Sequence, residues 1–197
     1  MTGGYLKGRL RREDIITAAI AVYGEAGYHG SSLREIAKRA GITHAGLLYY
    51  FPTKEALLAA VLERRDAEDF EREELSVVPP GREVLRHLIA LAEHNVGHPG
   101  IVELYSRLAA EAVAADHPAH EYFVRHYRLA RETALESFRA LADRGELLAG
   151  VDPEAAALTF IALMDGLQVQ WLTDQDAVDL VGSLRFYLQN LLTVPLG

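Results

Sequence analysis

The stretch Thr43-His44-Ala45-Gly46 holds the residues best suited to chemistry in this sequence, and that chemistry is recognition rather than bond-making. At the start of a helix, Ala45 and Gly46 leave room for close approach to a base edge, where His44 can donate or accept a hydrogen bond. Thr43 can cap the helix and bond a phosphate with the same hydroxyl. Arg34 stands nine residues upstream, at the start of the preceding helix, and is expected to reach the same region. Tyr49 and Tyr50 add hydroxyls at phosphate distance. Lys54 lies in the first turn of the next helix, where its cation and the helix dipole can both meet a phosphate. Lys7, Arg9, Arg11 and Arg12 form a basic lead-in able to follow a nucleic-acid backbone or enter a minor groove.

Such residues need short helices held across a fixed turn, and the local sequence provides them. Helical periodicity runs throughout, and no alternating β pattern of useful length competes with it. Ile15, Ile16, Ala19, Val22 and Tyr23 mark one face of a first helix over about 11–26, with Gly27 as its C-terminal glycine. Ser32-Leu33-Arg34-Glu35 reads as a capping box: the Ser32 hydroxyl accepts from the Glu35 amide, and the Glu35 carboxylate reaches back to Ser32. The helix so started carries Ile36, Ala37 and Ala40 inward and ends at Gly41. Thr43 caps a third helix over 44–50, Pro52 stops it, and Thr53 caps a fourth that should run to about Leu75. Two helices joined by a tight turn, the second of this length, have helix-turn-helix proportions, and the second helix of such a unit enters the major groove.

Val77-Val78-Pro79-Pro80-Gly81 is the clearest break in the helical pattern. Further helices are predicted over about 82–97, 100–115, 118–144, 153–172 and 176–192, with Asp152 and Pro153 forming a strong start signal. The expected fold is all-α, with about nine helices: a helix-turn-helix domain over 1–54 (motif about 32–51), a connecting helix over 55–78, and a helical domain over 79–197.

The net charge of −8 hides an asymmetry. Residues 1–54 carry +4 and residues 55–197 carry −12, the signature of a basic binding head on an acidic body. Half of the residues are apolar, enough for an ordered core. Cysteine is absent, which excludes disulfides, thiolate metal sites and cysteine nucleophiles. No apolar run approaches the ~20 residues that span a bilayer, and the N-terminus lacks the apolar segment of a secretory signal. A cytoplasmic protein with no membrane partner is the expectation.

The run from Gly41 to Leu58, Gly-Ile-Thr-His-Ala-Gly-Leu-Leu-Tyr-Tyr-Phe-Pro-Thr-Lys-Glu-Ala-Leu-Leu, resembles the recognition-helix signature of the tetracycline-repressor (TetR) family. Ile15-Ile16-Thr17-Ala18-Ala19, Gly27-Tyr28 and Leu33-Arg34-Glu35-Ile36-Ala37 fit that family's first two helices, so the resemblance covers about 11–65. It implies a homodimeric regulator of double-stranded DNA whose C-terminal domain both dimerises and binds a small molecule that loosens its grip on a palindromic operator. By position it assigns base or groove contacts to Arg34, His44, Ala45 and Gly46, and phosphate contacts to Ser32, Thr43, Tyr49 and Lys54. Many members carry Thr where this chain has Gly46 and Tyr where it has Leu48, which leaves Tyr49 to take over the phosphate role.

The C-terminal part is less specific. Tyr105, Tyr122, His126 and Tyr127 could line an apolar pocket with a few polar groups, or form an ordinary bundle core. Met164, Gln168 and Trp171 on the next-to-last helix are candidates for the same pocket. That helix is apolar around much of its circumference. Pairing it and the last helix with their symmetry mates, as the family's dimers do, would bury Phe160, Met164, Leu167, Val181, Leu184 and Leu188 in an isologous interface. A monomeric core using both helices internally is the alternative. His94 with His98, and His117 with His120 and Glu121, have spacings seen at Zn²⁺ sites, yet no metal or cofactor is expected beyond an unidentified small-molecule effector. An acid–base pair such as Glu121 and His126 is available, but no phosphate-cradling loop, nucleophile elbow or paired-carboxylate signature accompanies it, so an enzyme is not expected.

Overall fold

A computed structural model describes the backbone of residues 2–72 and 78–197, and the side chains of 9–64 and 78–197. Among the described residues there are nine α-helices: α1 (Thr2–Gly30), α2 (Leu33–Arg39), α3 (His44–Tyr50), α4 (Lys54–Arg72), α5 (Arg82–Val96), α6 (Pro99–Glu111), α7 (His120–Asp143), α8 (Pro153–Thr173) and α9 (Leu180–Gln189). One isolated antiparallel bridge joins Leu147 to Leu192. The all-α expectation holds. The predicted end of the fourth helix, near Leu75, and Val77 of the break lie outside the described residues, as does the side chain of Lys7.

The chain divides into two compact units. Unit 1 consists of Met1–Asp69 together with Glu103–His120, and unit 2 of Phe70–Val102 together with Glu121–Gly197. The sequence division put all of 79–197 in one domain, whereas Glu103–His120 packs with the N-terminal head.

Unit 1 is built on α1. Ile15, Ile16, Ala19, Val22 and Tyr23 recur at helical spacing and are all buried, as are Ile36 and Ala37 of α2, Leu47 of α3, and Leu57, Leu58 and Val61 of α4. Leu104, Leu108, Ala112 and Ala119 add buried residues from the second stretch. The start of α1 at Thr2 precedes its apolar stripe by several turns, and Leu10 there is exposed. The basic lead-in expected to trail along DNA is therefore helical.

Unit 2 packs α5, α7, α8 and α9 around Leu85, Ile89, Phe138, Phe160, Trp171 and Leu184. Asp152 caps α8 by accepting from the Glu154 and Ala155 amides, with Pro153 in the first turn as expected. The last helix starts later than predicted. Asp174 takes the Ala177 amide in a turn, and Asp179 supplies the helix cap by accepting from Gly182 at 2.8 Å. By length and mean hydropathy α8 would pass as a membrane span, contrary to the sequence reading, but Ala156, Ala157, Phe160, Ile161, Leu167 and Trp171 face the core of unit 2.

Four of the six residues expected at a dimer interface also serve the core of unit 2. Phe160, Leu184 and Leu188 are fully buried within unit 2 and Leu167 nearly so, leaving only Met164 and Val181 half-exposed. A helix apolar on every side gives no sequence cue to which residues its own chain claims, and here all four belong to the core that α8 and α9 share with α5 and α7. The outer apolar residues of the two helices are instead Leu158, Val169 and Phe186.

Candidate nucleic-acid interface

Two side-chain caps and one glycine turn shape the helix-turn-helix. The Ser32 hydroxyl accepts from the Glu35 amide at 3.2 Å and starts α2. At its other end, Gly41 takes φ +66, a conformation open to glycine, and the Ile42 amide reaches back to the Ala37 carbonyl at 3.0 Å. The Gly41 amide bonds Lys38 at 3.2 Å, so the last carbonyls of α2 are satisfied as the chain reverses. Thr43 then caps α3, its hydroxyl accepting from the Gly46 amide at 3.0 Å. Leu47 is fully buried and anchors α3, leaving its opposite face outward.

That outward face carries the expected readers. Thr43 and Ala45 are exposed, and His44 and Gly46 are half-exposed. A Cβ at position 46 would press on the Thr43 hydroxyl at 3.2 Å, so the glycine protects the cap as well as thinning the helix surface. Ser32 and Arg34 are exposed at the start of α2. Tyr49 is 84% exposed and packs edge-on against Tyr50. Leu48 is half-buried, and Phe51 belongs to the core with the Arg12 guanidinium 5.0 Å above its ring. Arg39 pairs with Glu25 at 2.6 Å, but both are well exposed and such a pair adds little stability.

Lys54 departs from its expected role. Its ammonium donates to the Ser31 carbonyl at 2.6 Å and to the Tyr28 carbonyl, and lies 4.4 Å from the centre of the Tyr28 ring. Two of its three protons are thus committed inward, leaving one for a phosphate. Burial lowers the ammonium pKa from its ordinary value, against the pull of Glu111 and Glu55. Tyr28 is the hub of this cluster: its hydroxyl donates to Glu55 at 2.8 Å and its amide to the Glu111 carboxylate at 2.8 Å. Burial and the Glu55 carboxylate push the Tyr28 phenol up. Apart from Gly27-Tyr28 at the helix end, nothing in the sequence marks this cluster, because Glu111 comes from 83 residues away.

The other candidates fall in both units. Tyr105 belongs to unit 1 and is half-buried. In unit 2, Tyr122, His126 and Tyr127 lie on α7, with Tyr122 and His126 rings stacked 6.1 Å apart, while Met164 and Gln168 lie half-buried on α8 and Trp171 is core. Between Met164 and Gln168 sits Asp165, which the sequence reading passed over. Burial raises its carboxyl above the usual range, opposed by a hydrogen bond from the Tyr127 hydroxyl. Among the described residues no set of three histidines and carboxylates comes together as a metal site. His98 Nδ1 meets the His94 carbonyl at 2.9 Å, His120 Nδ1 meets the Ala112 carbonyl at 2.8 Å, and His117 is buried.

Comparison with known proteins places this geometry. Residues 15–61 match the model of the bacterial regulatory proteins of the tetR family, and residues 81–193 match that of the BetI-type transcriptional repressor C-terminal domain. The HTH-type transcriptional regulator RutR of Escherichia coli (strain K12) is 46% identical over 52 residues, which is 26% of this chain and only 24% of RutR. The fatty acid metabolism regulator protein of Bacillus subtilis (strain 168) is 24% identical over 91% of this chain and 92% of its own. Among solved structures, a putative transcriptional regulator from Saccharomonospora viridis in complex with choline has a TM-score of 0.76 at 23% identity, covering 93% of this chain and 98% of that one. A TetR-family regulator from Agrobacterium tumefaciens has a TM-score of 0.78 at 20% identity, covering 94% and 99%. These likenesses carry the fold, and the two family models together span the head and the body. The chain belongs to the TetR family of bacterial transcription regulators.

Proposed function

We propose that this chain is a ligand-responsive repressor of the cytoplasm that grips a palindromic operator as a homodimer and leaves it when a small molecule binds in unit 2. The carrying observation is α3: a capped helix whose exposed end bears His44, Ala45 and Gly46 in place of bulky side chains. In this reading His44 and Arg34 read base edges, while Ser32, Thr43, Tyr49 and the spare proton of Lys54 hold phosphates.

A second copy is assigned to the outer face of α8 and α9. Leu158 and Val169 share that face of α8 three turns apart, and Phe186 on α9 is 73% exposed. A groove between the helices, lined by Leu163, Leu167, Phe186, Tyr187 and Leu191, gives an apolar ring somewhere to seat. An unpaired apolar surface of this kind calls for a partner, and two half-sites call for a two-fold one.

The effector is read as a small cation. Asp165 is a half-buried carboxylate whose described partner is the neutral Tyr127 hydroxyl, so a positive ligand would satisfy it, with the α7 aromatics available for cation–π contact. A regulator of the same fold was solved with choline, which agrees with that chemistry. The test is binding to a duplex carrying the chain's own promoter region, with and without choline and a neutral isostere of it. Specific binding released by the cation alone supports the reading. Specific binding indifferent to both removes the cationic effector, and absence of any specific binding removes the repressor.

A further inference from the structure

At the end of α1 the helix is broken by design of its neighbours. Gly27 takes φ +72 and ψ 176 in mid-helix, and a Cβ there would collide with the carboxylate of Glu111 at the end of α6. The left-handed backbone requires glycine at this position, and the Glu111 carboxylate takes the space that a Cβ would fill. The carboxylate is used as well as accommodated, since its Oε2 accepts from the Tyr28 amide at 2.8 Å. From there the chain has three residues before α2 is capped by Ser32. In that interval the Tyr28 carbonyl accepts from the Ser31 hydroxyl at 2.7 Å, and the carbonyls of Tyr28 and Ser31 both accept from the Lys54 ammonium. Behind Glu111 stands His117, its Nε2 3.5 Å from the same Oε2 and its ring edge-on to Tyr28 at 5.1 Å. The Ala119 amide donates to His117 Nδ1 at 3.1 Å, which fixes the neutral tautomer with Nε2–H facing Glu111.

We propose that Glu111 is a positioning residue for operator recognition: by seating its carboxylate against Gly27 it sets the angle at which α1 hands over to α2, and so the pose of α3. It touches no DNA in this role. Glu111 acts on the bend, Lys54 holds the loop after the bend, and Ser32 starts the helix that the bend aims. Recognition needs a fixed pose, whereas loose attraction of DNA to a basic surface does not. Losing Glu111 should therefore cost specific binding and spare nonspecific binding.

The experiment uses the full chain and a duplex selected by the unmutated protein from a random library, beside an unselected duplex. Glu111→Ala is expected to bind the selected duplex about tenfold more weakly, the equilibrium equivalent of one charge-assisted hydrogen bond. Its affinity for unselected DNA and its salt slope should stay unchanged. Glu111→Gln keeps an acceptor for the Tyr28 amide and is expected to recover most of the loss. Gly27→Ala should reproduce Glu111→Ala, whereas Gly30→Ala, which meets only an ordinary contact with Ala26, should bind normally. If Glu111→Ala does not fold, Glu111→Asp, which keeps the charge but shortens the reach, carries the same comparison. A folded variant that retains full affinity for the selected duplex overturns the proposal. So does a loss equal on selected and unselected DNA.

Discussion

Replacing Lys54 by Met separates two roles that the residue type alone leaves merged. Methionine keeps much of the length and apolar stem while removing the charge and all three donors. The Tyr28 carbonyl would still hold the Ser31 hydroxyl at 2.7 Å, but the Ser31 carbonyl would lose its ammonium at 2.6 Å. One charge-assisted hydrogen bond at a half-buried site is worth about 1.5–3 kcal/mol. The lost ring contact adds about 0.5–1 kcal/mol. The expected destabilisation is therefore about 3 kcal/mol, or a fall in melting temperature of about 6–12 °C for a chain of this size. Thermal unfolding followed by circular dichroism measures it. Operator binding across a salt series gives the second reading, since each phosphate contact removed shallows the log–log slope by about 0.9. Inward bonding as the main role requires a clear loss of stability, with any change of slope secondary. A Lys54→Met protein as stable as its parent, yet with a slope shallower by one contact per protomer, would refute the inward assignment and restore Lys54 as a plain phosphate anchor.

Other substitutions probe the remaining surfaces. His44→Ala should change base preference at one position of each half-site, at about 1–3 kcal/mol, measured as relative affinity for operators varied base by base; equal loss on every sequence would remove it as a reader. Phe186→Glu should yield folded monomers by sedimentation, whereas Leu188→Glu places a charge at a fully buried core position and should unfold unit 2. A folded, monomeric Leu188→Glu would mean that the core of unit 2 is assigned wrongly. Asp165 gives a pH signature. Its folded carboxyl titrates above the ordinary 3.8, so its contribution to stability is full below that value and is lost as pH rises through the raised one. Asp165→Asn should consequently melt higher than its parent at neutral pH, with the difference closing in acid; melting curves from about pH 4 to about pH 8 decide it.

The readable parts of this molecule are those whose physics is local. Ser32, Thr43, Asp152 and Pro153 announce helix starts within four residues, Gly41 announces a stop and Gly27 a break that α1 passes on its way to Gly30, so the helix-turn-helix is legible before any packing is considered. The register of α8 and α9 is not legible in this way: an apolar circumference leaves the choice between core and surface to the neighbouring helices, and Phe160, Leu184 and Leu188 went inward while Phe186 stayed out. The start of α9 was misplaced because Asp174 and Asp179 are both competent caps and only the second is used to begin the helix. Lys54 looked like a phosphate ligand by position, and its carbonyl partners at Tyr28 and Ser31 exist only once the α1–α2 junction has folded. His117 has a metal-like spacing to His120 in the sequence and is instead buried edge-on to Tyr28. Glu111 and Asp165 were passed over because single carboxylates in helices are commonplace until a fold puts them beside something.

The composition of unit 1 from two separated stretches, Met1–Asp69 and Glu103–His120, also imposes a timetable on synthesis. At about 5–20 residues per second, a ribosome needs roughly 3–10 s to add the chain between residue 69 and residue 120. For most of that interval, until residue 111 is added, the Tyr28 amide has no Glu111 to meet, and the bend at Gly27 is unlatched. The head therefore matures late although it is translated first. A transcript truncated between residue 69 and residue 111 would encode every residue of the helix-turn-helix and still yield a nascent reader that has not been aimed.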